Sequence, residues 1–350
     1  MKPKEQILAW ARPEIVALKP YASARSEFKL GEKDMILLDA NENPFNNGMN
    51  RYPDPMQGKV KKRLAEAKST SVDQIFLGNG SDEVLNQLMI AFCQPGKDKA
   101  ILLPPTFGMY QVCASINGIE TVQIPLAKDF TLDVSAINKA QTDKTKIIFI
   151  ANPNNPTGNC FALEDIKVII ENFDGLVVVD EAYVEFAEDK SVISWISDYP
   201  NLVVVQTFSK AQGLAGIRLG MAFAHPEIIG LMNKVKAPYN INTLTQTEVL
   251  KRLEEQGLIQ QQVHQIREEK AKLLKGIKGI SFVKKVYPSD ANFFLVKMDN
   301  STKRYNELID RGIVVRNASN NQNCANTLRI TVGTSDENNA LIIALRSMDN

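Results

Sequence analysis

Lys210 stands where the surrounding chain looks ready for burial, in TFSKAQGLAGIRLG (207–220), with Thr207 and Ser209 before it and Arg218 eight residues on. Two other apolar runs end in equally uncommon polar groups. GLVVVDEAY (175–183) closes on Asp180 and Tyr183, and KIIFIANP (146–153) leads into NPNNPTG (152–158), which holds Asn155. Each group alone has an ordinary structural role: Asp180 as a helix N-cap, Tyr183 as a core tyrosine, NPNNPTG as a turn, Lys210 as a snorkelling surface lysine. Together they form a set that one chemistry needs. A neutral lysine amine makes a Schiff base with an aldehyde, and desolvation among small and apolar residues favours that neutral form.

A carboxylate facing a pyridine nitrogen keeps the ring protonated and able to withdraw electrons, while a phenol and an amide hold the ring's 3-oxygen. A phosphate on the same ring calls for backbone N–H groups at a helix start, hydroxyls and an arginine. The cofactor implied is pyridoxal 5'-phosphate. GNGSDE (78–83) supplies the helix start, with two glycines for a tight turn and Ser81 as its cap. Asp82 suits the helix dipole but its carboxylate repels a phosphate, so its contribution is expected through the backbone N–H. Thr207, Ser209 and Arg218 complete the phosphate cup. No GxxxxGK[ST] segment occurs, which argues against a P-loop nucleotide enzyme.

These groups need a scaffold that brings strand ends together. The runs at 146–153, 175–183 and 201–209 are compact and β-branched, and Leu163, Ile166, Ile169 and Ile170 recur at helical spacing between the first two. Such alternation predicts a parallel sheet covered by helices on both faces, with ligands bound beyond the carboxyl ends of its strands. After about residue 245 the pattern becomes a smaller α+β unit, with strands at ISFVKKVYP, ANFFLVKM, IVVR and TLRITVG. Its last helix opens on a capping box, Thr334 with Glu337. The expected division is an arm over 1–30 packing with the small unit, a large cofactor-binding unit over 31–244, and a small unit over 245–350.

Composition narrows the function further. Lysine plus arginine is 41 against 40 aspartate plus glutamate in 350 residues, so charge gives no case for nucleic acid or an anionic membrane as partner. No apolar run approaches a bilayer span and the first residues lack a signal-peptide pattern, which makes the cytoplasm the expected location. Cys93, Cys113, Cys160 and Cys324 are widely spaced and read as reduced, packed thiols, with neither zinc nor a disulfide framework. His225 and His264 are the sole histidines, too few for a histidine-rich metal site. No metal is expected.

The motifs resemble the fold-type-I pyridoxal-phosphate aminotransferases over nearly the whole chain. NPNNPTG, DEAY and SKAQGLAGIR carry the superfamily likeness. LDANENPF (38–45), RYPDP (51–55), PPTFGMY (104–110), ANFFLV (291–296), GIVVR (312–316) and LRITVG (328–333) add to it, and the combination of NENP, RYPDP and SKAQGLAGIR points to the branch acting on histidinol phosphate. The resemblance implies Lys210 as Schiff-base lysine and proton shuttle, Asp180 at the pyridine nitrogen, and Tyr183 and Asn155 at the 3-oxygen. It implies phosphate contacts from Ser81, Asp82, Thr207, Ser209 and Arg218, with Phe107 stacked on the ring. Tyr52 would reach the phosphate in a neighbouring subunit, making a homodimer the working unit. Arg329 would take the carboxylate of glutamate or 2-oxoglutarate and the phosphate of histidinol phosphate, helped by Arg316, Tyr21 and Asn41. Phe107 stands where tyrosine is common, and Gln212 replaces an aromatic; the place of the Gln212 side chain is not legible. An aromatic amino-acid aminotransferase, a phosphothreonine decarboxylase and an aminotransferase-like binding domain remain open as alternatives.

Overall fold

The computed structural model describes residues 3–21 and 35–349. Its large unit is built on a seven-stranded sheet: β1 (Ile75–Asn79), β2 (Lys99–Leu102), β3 (Glu120–Gln123), β4 (Thr145–Ala151), β5 (Leu176–Asp180), β6 (Leu202–Thr207) and β7 (Leu219–Ala224). The order across the sheet is β1-β7-β6-β5-β4-β2-β3, and β7 alone runs against its neighbours. Strands β4, β5 and β6 are adjacent and parallel, so their carboxyl ends open on one edge.

The β-branched runs are buried on both faces because alternate side chains enter separate cores. Ile148, Ile150, Val177, Val179 and Val204 face one core; Ile147, Phe149, Val178, Val203 and Val205 face the other. Helices α1 (Pro3–Trp10), α2 (Pro13–Ala17), α3 (Gly58–Lys68), α4 (Gly80–Phe92), α5 (Met109–Ile116), α6 (Val134–Ala140), α7 (Leu163–Asn172) and α8 (Pro226–Val235) accompany this sheet. On α7, Ile166, Ile169 and Ile170 form the buried stripe their spacing predicts.

The chain continues through α9 (Thr243–Glu254) and α10 (Gln256–Ile277) to a second sheet. That sheet is antiparallel, in the order β10 (Arg316–Asn317), β11 (Thr327–Thr331), β9 (Phe293–Met298) and β8 (Val283–Val286). It carries α11 (Ser301–Ile309) and α12 (Ser335–Ser347), and the capping box of Thr334 and Glu337 is formed at the start of α12.

Three expectations are corrected. Residues 3–17 of the arm pack on the large unit instead of the small one: Ile7, Trp10 and Ile15 enter the core shared with α4 and α8, and Trp10 Nε1 donates to Asp174 Oδ1 at 2.8 Å. The rest of the arm from residue 22 to 30 lies outside the described residues. The division does not fall at 244/245, because Val249 and Leu253 of α9 belong to the large core. It falls along α10, whose Ile259 and Val263 pack on Phe186 and Ala211 while Leu273 and Ile277 enter the small core. The strand expected at IVVR shrinks to Arg316–Asn317. It is an edge strand with a single neighbour: Ile313 and Val315 pack against the small core and Val314 is 78% exposed, while the ladder itself takes up Arg316 and Asn317.

The two units are stitched where the site lies. Asp290 N donates to the Gly158 carbonyl, and Asp290 Oδ2 accepts from Cys160 N at 2.8 Å. Arg267 donates to the Phe186 carbonyl at 3.1 Å. Among the described residues, no helix is long and apolar enough to cross a membrane.

Candidate active site

Beyond the carboxyl ends of β4, β5 and β6 is a cleft of ≈ 660 Å³. Ser81, Asp82, Phe107, Asn155, Asp180, Tyr183, Thr207, Ser209, Lys210 and Arg218 all line it.

At one end sits Asp180, the last residue of β5 and almost fully buried. Its Oδ2 accepts from the Tyr110 hydroxyl at 2.8 Å and its Oδ1 from Ala182 N at 3.1 Å. Burial pushes its pKa up to about 6, against the pull of those two donors; Asp82 adds to the rise and Lys210 opposes it. An anion held this far from water is matched to a cation such as a pyridinium.

In the middle, Asn155 Nδ2 donates to the Tyr183 hydroxyl at 3.3 Å. Burial first, then Asp180, push the Tyr183 phenol up to about 12, while Arg329 and the Asn155 amide pull it down. Tyr183 therefore remains a hydroxyl near neutral pH. Lys210 Nζ lies 5.4 Å from the centre of the Tyr183 ring. Its side chain reaches into open space, yet the flanking protein lowers its pKa, by desolvation first and then by the charge of Arg329. Asp180 and Asp82 partly restore it.

The other end is a cup for an anion. Helix α4 points its first turn into the cleft, with Ser81 inside that turn rather than at the cap, which is Asn79. Arg218 approaches from the start of β7 with φ +58° and its Nη2 lies 3.6 Å from Asp82 Oδ2. The approach depends on Gly80, φ +76°, where a Cβ would meet Arg218 Nη2 at 2.6 Å. Gly220 matters equally, because a Cβ there would lie 2.2 Å from Ser81 N. Thr207 Oγ1 accepts from Ser209 N at 3.1 Å, placing both hydroxyls beside the cup.

This donor set fits pyridoxal phosphate. The first turn of α4, Ser81, Thr207, Ser209 and Arg218 would hold the phosphate, and Asp180 the ring nitrogen. Asn155 and Tyr183 would hold the 3-oxygen, Lys210 the aldehyde, and Phe107 a face of the ring.

The small unit adds a second cationic edge. Arg329 Nη1 donates to Asn155 Oδ1, and its guanidinium sits 5.3 Å from the Phe293 ring. Arg316 is its direct cross-strand partner. Two like charges opposed on neighbouring strands repel unless an anion lies between them, and burial and Arg316 lower the pKa of Arg329.

Three predicted residues are not brought to this cleft. Tyr52 and Asn41 line a separate hollow, where the Tyr52 ring stacks on Tyr239 at 4.4 Å. Tyr21 is 77% exposed at the surface. The segment joining Tyr21 and Asn41, 22–34, lies outside the described residues. Gln212, illegible in the sequence, is buried in the loop after Lys210 with its side chain beside Glu185, and its backbone carbonyl accepts from Arg252 Nε at 2.8 Å. Two residues were missed. Tyr110 lies three positions after Phe107, a helical spacing that could have marked it. Glu181 is fully buried, accepting from Ser191 Oγ, Val192 N and Gln206 Nε2, and adjacency to Asp180 was its sole signal.

Residues 33–345 match the aminotransferase class I and II family. The chain belongs to that family and is a pyridoxal-phosphate-dependent aminotransferase of fold type I. It is 52% identical over 339 residues to the histidinol-phosphate aminotransferase of Christiangramia forsetii, covering 97% of each chain. The Flavobacterium johnsoniae histidinol-phosphate aminotransferase is 51% identical over the same 97% of each. Among solved structures, the Sinorhizobium meliloti histidinol-phosphate aminotransferase in complex with pyridoxal 5'-phosphate aligns with a TM-score of 0.76. That alignment covers 85% of this chain and 83% of the other at 23% identity, a likeness of fold.

Proposed function

We propose that the chain is a histidinol-phosphate aminotransferase of histidine biosynthesis. It moves an amino group reversibly between L-glutamate and imidazole-acetol phosphate, giving 2-oxoglutarate and L-histidinol phosphate. The observation that carries the substrate is the 52% identity over 97% of both chains to a histidinol-phosphate aminotransferase. The geometry supports it. Histidinol phosphate has no α-carboxylate, and a guanidinium that can hold either a carboxylate or a phosphate lets one pocket serve both substrates. Support for that use comes from Arg329, which donates to Asn155 of the cleft and has Arg316 as its cross-strand partner.

Pyridoxal phosphate, when bound, supplies an aldehyde to take the amino group and a protonated ring that draws electrons from the substrate carbon. The protein's residues do the rest. Asp180 holds the proton at the ring nitrogen. Lys210 Nζ, biased toward its neutral form, takes the proton from the amine-bearing carbon of the donor and gives one to the keto carbon of the acceptor. Arg329 orients the anionic end of each substrate, and Phe107 and Tyr183 wall the cleft.

The working unit in this reading is a homodimer in the cytoplasm. Exposed apolar side chains cluster in the segment holding Tyr52: Ile36 at 89%, Leu38 at 88% and Phe45 at 80%, a surface suited to a second copy. Tyr52 would then complete the neighbour's phosphate cup, and Tyr21 and Asn41 would reach substrate in the assembled enzyme.

The test is a half-reaction. Cofactor-loaded protein is mixed with histidinol phosphate, phenylalanine or phosphothreonine, and the visible absorption of the bound aldehyde is followed. Rapid loss with histidinol phosphate, at least tenfold faster than with phenylalanine, is the expected result. Preference for phenylalanine would favour an aromatic aminotransferase, and carbon dioxide released from phosphothreonine would mark a lyase.

A further inference from the structure

The base of the cofactor site is held by a residue that does not itself line the cleft. Tyr110 is fully buried in α5 and its hydroxyl donates to Asp180 Oδ2 at 2.8 Å. Its ring lies flat on Phe149 of β4, centroids 4.9 Å apart at 16°, and meets Phe107 edge-on at 5.6 Å and 86°. Phe107 lines the cleft. One buried ring thus fixes the cleft's aromatic wall and its carboxylate together.

We propose that Tyr110 is a positioning residue for the cofactor, holding Asp180 ionised and turned toward the ring nitrogen. The inference rests on the reading of the cleft as a pyridoxal-phosphate site. Asp180 needs the help. The groups facing it are Tyr110 from α5, Asp82 from α4, Lys210 from the segment after β6, and Ala182 N and Tyr183 from its own segment. Asp82 works against ionisation and Lys210 for it, while burial dominates both. Burial pushes the carboxyl up to about 6 even with both hydrogen bonds made, so losing the phenol would raise it further and leave more of the free site protonated. Tyr110 is a reliable donor, because burial and Asp180 raise its own pKa well above the ordinary phenol value.

Linkage gives this role a signature that a packing role lacks. At high pH Asp180 is ionised with and without cofactor, so the phenol stabilises both states and hardly alters affinity. At low pH the free site holds a protonated Asp180, whereas the loaded site needs it ionised, so the phenol then favours the loaded site alone. Tyr110→Phe removes one oxygen from a packed ring.

The experiment titrates pyridoxal phosphate into cofactor-free wild type and Tyr110→Phe at pH 5.5 and 8.5, read by cofactor absorbance. The expected result is a dissociation constant raised about tenfold at pH 5.5 and within about twofold of wild type at pH 8.5. In an Asp180→Asn background the same substitution should change affinity less than twofold at either pH. Equal losses at both pH values, no loss at either, or Tyr110→Phe recovered solely as unfolded protein would each overturn the assignment. Failure of wild type to bind pyridoxal phosphate would instead overturn the reading of the cleft.

Discussion

At the scale of single residues, the cleft separates two carboxylates that are neighbours in the chain. Asp180 lines the cleft, and Glu181 is enclosed by Ser191, Val192 and Gln206. Burial pushes Glu181 up to about 7, from an ordinary 4.5, despite those three donors. The sign follows from linkage. A carboxyl whose pKa is raised by folding binds its proton more tightly in the folded state. It therefore adds stability below about pH 4.5, and that stability is lost as the pH climbs through 7. Glu181→Gln should flatten this dependence in the cofactor-free protein, narrowing the stability difference between pH 5 and pH 8 by on the order of 3 kcal/mol. Denaturant melts of both proteins at the two pH values check it, and parallel curves would show that Glu181 does not titrate in this window. Lys210, Asp180, Tyr183 and Asn155 were legible because each is an odd polar residue at the end of an apolar run. Tyr110 was not, since a tyrosine inside a helix looks like core until its hydroxyl's partner is known.

At the scale of elements, the phosphate cup exists because β7 and the first turn of α4 nearly touch. Gly220 pairs in register with Gly78, and its Cα hydrogen points at the Ser81 backbone. A methyl group there would lie 2.2 Å from Ser81 N, and backbone cannot swing aside as a side chain can. Gly220→Ala should cost about 3 kcal/mol of stability and weaken pyridoxal phosphate by displacing the α4 N-terminus. Gly216→Ala is the control, with nothing within 4 Å of its new methyl. Thermal melts and cofactor titrations distinguish them, and a neutral Gly220→Ala would show that α4 can retreat without loss. Strands β4, β5 and β6 were readable because burial on both faces leaves continuous β-branched runs. The IVVR segment misled because its composition and its half-buried Ile313 and Val315 fit a strand, whereas its position at the sheet edge, a tertiary fact, leaves 313–315 outside the ladder.

At the scale of the whole molecule, two-unit architecture was legible but its seam was not. The helical patterns of α9 and α10 look alike, and only packing shows that α9 serves the large core and α10 both. The arm was misplaced for a similar reason: an amphipathic helix declares its apolar face but not the core it joins. The proposed homodimer gives a test at this scale. Lys210→Ala should be inactive, and Tyr52→Ala strongly impaired if Tyr52 serves the neighbouring site. Mixing the two, unfolding and reassembling them, should regenerate one intact site in each mixed dimer, recovering about a quarter of wild-type activity. No recovery would mean that Tyr52 acts within its own chain.

Asp180, Asn155, Tyr183, Lys210 and the phosphate cup all hang from the large sheet, whereas Arg316 and Arg329 belong to the small one. In the proposed reading, cofactor handling and substrate choice are therefore written in separate parts of the chain. In that reading, changes at Arg316 on the short edge ladder retune which acid or phosphate enters, whereas Arg329, which donates to Asn155 and lowers the pKa of Lys210, ties substrate choice to the reactive groups.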